Sequence, residues 1–129
     1  MNYKERLKLI FDDVIGSPEF DELKISKHFD KDYQQWVDGH ELDYCGFIEH
    51  MRIQKQRVKS VDIKFHSIIE EGQKVSTIHF VNATTKDGHE VEGRVIAHFT
   101  FNKDKLILCE ELTFFNKARD EDRDLGHIR

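Results

Sequence analysis

EVEGRVIAHFTFNKDKLILCEELTFF, residues 90–115, reads as two strands, Glu90 to Phe101 and Leu106 to Phe115, with a turn at Asn102 to Asp104. So short a connection makes the pair antiparallel, because parallel strands need a crossover of a dozen or more residues. Upstream, Val75 to Thr84 predicts another strand, joined through the hairpin signal Lys86-Asp87-Gly88. Before it Val61, Ile63 and Phe65 alternate with polar residues until Glu71-Gly72 turns the chain. The second half is therefore a four-stranded antiparallel meander.

The first half has a different period. Tyr3, Leu7, Ile10, Phe11, Val14 and Ile15 recur at helical spacing over 3–15, with Asn2 as cap and Gly16 as stop. Ser17-Pro18-Glu19 predicts the start of a second helix, with Ser17 as N-cap and Pro18 at the first helical position. DYQQWV, residues 32–37, reads as a short strand ending at Asp38-Gly39. A third helix runs from an Asp43 cap to about Arg57, burying Phe47, Ile48, Met51 and Val58. Helices first and a sheet after predict an α+β fold, one domain spanning 1–129 with a charged tail from about residue 117.

Composition narrows the function classes. A net charge of −5 argues against nucleic acid, which needs clustered Lys and Arg. No apolar run approaches the roughly 20 residues of a membrane span, and the amino terminus lacks the continuous apolar stretch of a signal peptide. Cys45 and Cys109 are too few for a disulfide framework and suit a reducing compartment, so a cytoplasmic location is expected. No metal site is expected: Asp120, Asp122 and Asp124 imitate a calcium loop, but Leu125 stands where Gly is needed. His40, Glu41 and Asp43 are too close together for a zinc site.

HFDKDYQQWVDG, DYCGFIEHM and IAHFTFNKDKLILCEEL, in that order and spacing, resemble the SnoaL-like branch of the nuclear transport factor 2-like superfamily. The resemblance covers about Leu7 to Phe115. It implies a cone-shaped α+β barrel, N-terminal helices on a strongly curved, mostly antiparallel sheet, with a pocket between them and homodimerisation through the sheet's outer face. It leaves function open, because the superfold hosts isomerases, cyclases, hydrolases, dehydratases and binders. Against the steroid-isomerase pattern, Phe11 falls at the Tyr position, Trp36 or Gln35 at the base and Ala97 at the second acid. None of these can perform that reaction.

The same alignment orients the strands. Val95, Ala97, Phe99 and Phe101 are expected to face the pocket, with Ile78, Phe80, Asn82 and Thr84 on one neighbouring strand and Cys109, Glu111 and Thr113 on the other. With Phe11, Trp36 and Met51 they outline an apolar pocket for a small apolar ligand carrying a few oxygens. Glu111 is the candidate acid/base, since desolvation raises a carboxyl toward the useful range. Pairing with Arg52 at the rim, or solvent exposure, is the structural alternative. His50 on the third helix is the candidate partner; a helical His is as readily a core-edge residue. His79 and His98 are expected on the outer face, and become the candidate bases if the register is reversed. The charged tail reads as a solvated terminus, with a lid as the alternative. Together these residues predict proton-transfer chemistry without cofactor, of isomerase, cyclase or hydrolase type, on an apolar carbonyl compound. A non-catalytic binding or dimeric interaction module is the alternative.

Overall fold

A computed structural model describes residues 1–128. Asn2 opens the first helix, α1 (Tyr3–Ile10), its Oδ1 accepting the Glu5 N–H at 2.8 Å. One π turn, Phe11–Ile15, extends it until Gly16 N–H bonds the Phe11 carbonyl at 2.7 Å. The Ser17-Pro18 helix start expected from the sequence is a turn instead. Asp21 caps α2 (Glu22–His28), because its carboxylate meets two amides, those of Leu23 and Lys24. Ser17 Oγ reaches only the Glu19 N–H.

The chain passes from α2 directly into β1 (Phe29–Val37), turns at Asp38-Gly39 and returns as β2 (His40–Asp43). Both turn residues have positive φ, 50° and 88°. That is the two-residue geometry whose twist matches flanking antiparallel strands. Asp43 then caps α3 (Tyr44–Arg57) by accepting the Gly46 N–H, as the sequence predicts. β3 (Val58–Glu71), β4 (Lys74–Thr85), β5 (Glu90–Asn102) and β6 (Lys105–Lys117) follow as the expected meander. The sheet order is β2-β1-β6-β5-β4-β3, antiparallel except where β1 lies parallel to β6.

The helices cover the concave face, where Leu7, Ile10, Phe11, Met51, Phe99, Phe101 and Leu106 form the main core. Along β5 and β6 the orientation agrees with the alignment: Val95, Ala97, Phe99, Phe101 and Cys109 are buried. Along β4 it is reversed. Antiparallel partners share a face, and Thr77 pairs with Ala97, His79 with Val95 and Ala83 with Val91. Val75, Thr77, His79 and Ala83 therefore point inward, while Ile78, Phe80, Asn82 and Thr84 leave the core face. A change of parity in the Thr85–Glu90 hairpin, invisible to hydrophobicity because Ile78 and Phe80 are the larger apolar residues, transfers the whole set. Trp36 also points outward, beside Glu110 on the outer face of β6, because Tyr33, Gln35 and Val37 take the buried face of β1.

The tail does not float in solvent. A 3-10 turn, Asp120–Asp122, buries Asp122 between Arg57 and Arg119, with Nη2–Oδ1 at 3.0 Å and Nε–Oδ2 at 2.8 Å. Beyond it Leu125 is buried and His127 stacks on His40, ring centres 3.7 Å apart.

Candidate functional site

Between α1, α3 and the concave sheet lies a cavity of about 150 Å³. Phe11, at the start of the π turn, is its hub: its ring meets the edges of Phe65, His79 and Phe99 at centroid distances of 5.2–5.6 Å. A second aromatic group, Phe29, Tyr33 and Phe47, closes the β1 side. Of the residues expected from the sequence, Phe11, His50, Met51, Val95, Phe99, Cys109, Glu111 and Thr113 line this cavity. Ala97 is buried on the same face but lies off the wall. Trp36, Ile78, Phe80 and Asn82 do not reach it. Trp36 packs in an outer groove with Glu41 and Glu110, and Phe80 lies under the Arg94 guanidinium. Arg52 pairs with Glu49 on its own helix, and so is not the partner of Glu111.

Glu111 sits on β6 opposite the Asp38-Gly39 turn, and that turn fixes its backbone. Asp38 N–H donates to the Glu111 carbonyl at 3.0 Å, and the Asp38 carboxylate accepts the Thr113 N–H at 2.7 Å. Burial against the apolar wall pushes the Glu111 carboxyl up to about 7. The Cys109 thiol, donating to Oε1 at 3.4 Å, opposes the rise, and the Asp38 charge adds to it. Tyr33 and Cys109 beside it are held neutral, their acidities suppressed first by burial.

Two imidazoles share the cavity. His79 is buried, its Nδ1 2.8 Å from the Thr77 hydroxyl, and desolvation lowers it to about 4. His50 is also lowered to about 4 by burial, and its Nδ1 donates to the Ile128 carbonyl at 2.6 Å. Both are therefore neutral at neutral pH. Among the described residues no cluster of three or more His, Cys, Asp or Glu is arranged to hold a metal.

His79, expected on the outer face and a candidate base only with the register reversed, lines the cavity, whereas His98 stays on the exposed face; Tyr33, Gln54, Leu125 and Gly126 line it without a chemical signal in the sequence that marks them for it. Gln54 lies four residues after His50 and three after Met51, so helical spacing alone places it beside them. For the tail the signal is weaker: Leu125 and Ile128 are apolar residues in an otherwise charged segment.

No family model matches the chain. The uncharacterised protein C11D3.04c of Schizosaccharomyces pombe is 33% identical over 98 residues, 76% of this chain and 75% of that protein. AclR of Streptomyces galilaeus, a candidate hydroxylase, superposes with a TM-score of 0.70 at 18% identity, covering 99% of this chain and 89% of AclR. A candidate SnoaL-like polyketide cyclase from Jannaschia sp. CCS1 gives 0.71 at 12% identity, covering 84% and 83%. The chain thus belongs to the family of C11D3.04c and has the fold of the SnoaL-like branch of the nuclear transport factor 2-like superfamily.

Proposed function

We propose that the protein binds a small, mostly apolar carbonyl compound and moves a proton on it without a cofactor, with Glu111 as acid/base. The observation that carries this reading is a carboxyl on the wall of an apolar cavity, raised by burial to about 7. At neutral pH such a group is populated as both acid and base, which suits proton removal beside a carbonyl and its return. His79 lies two strands away and two residues further along, roughly 12 Å by strand spacing. In the tautomer in which the Thr77 hydroxyl donates to Nδ1, the ring carries its proton on Nε2 and can offer it to a developing enolate oxygen. Thr113 follows Glu111 on the same face and orients the substrate. The volume suits one ring: an apolar cavity of about 150 Å³ accommodates benzene.

The test is exchange of the α-protons of cyclohexanone in D₂O, followed by proton NMR. Wild type is expected to exceed the buffer rate, and Glu111→Gln to lose at least about tenfold. Exchange unchanged in Glu111→Gln would remove the residue from this role. Binding of cyclohexanone with no exchange above buffer would favour a non-catalytic binding module.

A second copy of the chain is the proposed partner. On the outer sheet face Ile78, Ile96 and Leu112 form one cross-strand row, and Phe80, Arg94 and Phe114 the next. Ile96, Leu112 and Phe114 are 62%, 57% and 67% exposed. The flanking row is polar, Ser76, His98 and Glu110, so an apolar centre meets a polar rim as in homodimer interfaces. Sedimentation should show a dimer that Ile96→Glu with Leu112→Glu reduces to monomer. No helix among the described residues is long and apolar enough to cross a membrane. The unpaired thiols of Cys45, exposed, and Cys109, buried, support a reducing, cytoplasmic setting.

A further inference from the structure

We propose that the α3 end of the cavity is a hydroxyl-binding subsite, with Gln54 Oε1 and His50 Nε2 as paired acceptors set in place by the carboxy-terminal segment. The inference rests on the cavity being a ligand site and adds the chemistry of one end of the ligand.

Hydrogen-bond directionality settles which atoms are available. The carbonyls of Leu125 and Ile128 can only accept. Gln54 therefore presents its NH₂ to Leu125, at 2.7 Å, and His50 presents Nδ1–H to Ile128, at 2.6 Å. Each side chain is thereby left with an acceptor. Gln54 Oε1 is buried and has no partner among the described residues. His50 Nε2 carries no proton, because burial keeps the ring neutral. The two residues stand one helical turn apart and both line the cavity.

A buried acceptor without a donor is destabilising unless something supplies the donor. Gln54 Oε1 is such an atom; it and the unprotonated His50 Nε2, on residues one helical turn apart along the same wall, favour a neutral ligand whose group at this end is O–H or N–H. They disfavour one ending in a carbonyl or a carboxylate, whose lone pairs would face theirs. The carbonyl expected at the Glu111 end and a hydroxyl at the α3 end thus give the ligand a direction.

Calorimetric titration with phenol and toluene, which have the same shape and differ in the donor, tests the subsite in wild type and Gln54→Leu. The variant is expected to lose roughly five- to a hundredfold in phenol affinity while toluene binds as well or better. Wild-type NMR gives a second readout independent of the variant's folding. Phenol, and not toluene, should shift the His50 Nε2 and Gln54 side-chain amide resonances. A phenol-to-toluene ratio unchanged by the substitution, or equal shifts with both probes, overturns the subsite and leaves the pocket standing; an ordered water would then be the partner of Gln54. Failure of both probes to bind wild type overturns the pocket and the subsite together.

Discussion

Glu111 owes its raised pKa first to burial, and two neighbours with effects of opposite sign adjust it, so each neighbour can be removed separately. The Cys109 thiol stabilises the carboxylate. Cys109→Ala should therefore raise the Glu111 midpoint above about 7. Asp38→Asn removes a repelling charge and should lower it, while the amide oxygen still accepts the Thr113 N–H. Carbon-13 NMR of the Glu111 carboxyl across pH reads both shifts, and movement in the same direction would contradict this account. The residue could be found because the family resemblance oriented β6, with Cys109, Glu111 and Thr113 inward; hydrophobicity alone would have turned Leu112 and Phe114 in instead. Gln54 is not legible in the sequence, because an uncharged polar residue on a helix carries no chemical signal until its partner, a carbonyl 71 positions away, is known.

At the scale of elements, what was legible was whatever depends on near neighbours. The caps of α1 and α3, the hairpin turns and the bounds of the four meander strands follow from local composition, and the structure agrees to within a few residues. Parity is different. The inward face of β4 depends on how many residues the Thr85–Glu90 hairpin consumes, and Ile78 and Phe80 offered a more apolar face than Thr77 and His79. The outer surface of the sheet takes them instead. Docking of the tail is also non-local, because its anchor is an ion pair rather than a hydrophobic stripe. Asp122 is only 1% exposed. Burial alone would raise its carboxyl, but hydrogen bonds from Arg119 and Arg57 prevail and hold it below the ordinary range. Asp122→Ala leaves two cations facing an emptied site and should destabilise the fold by about 3 kcal/mol in urea denaturation. Amide exchange should accelerate over residues 119–128 before it does in β5. A change below about 0.5 kcal/mol would mean that the tail is held by Leu125 alone.

The cavity's titrating groups give the whole molecule a pH signature. Unfolded, both imidazoles titrate near 6.5; folded, His50 and His79 are lowered by burial to about 4. Stability from these groups is present above 6.5 and is lost as pH falls toward 4. Glu111 acts in the opposite sense. Its folded value near 7 exceeds the ordinary 4.5, so its contribution is full below 4.5 and is lost as pH rises through 7. Between 4.5 and 6.5 the unfolded chain takes up two protons that the folded chain excludes, against one that the folded chain retains. Stability should therefore climb by about 1.4 kcal/mol per pH unit and turn over near pH 6.5. In Glu111→Gln the climb should double to about 2.8 kcal/mol per unit and the turnover should vanish. Urea midpoints taken at a series of pH values measure both slopes; equal slopes in the two proteins would place Glu111 in contact with water. A last consequence concerns the order in which the molecule is made. The parallel seam joins Phe29–Val37 to Leu106–Glu111, so the first strand to leave the ribosome waits for the last. While it waits, β1 has only the four-residue β2 beside it, and its other edge stays open to any extended chain nearby. The edge that β6 will cover is therefore open from the synthesis of residue 37 until that of residue 111.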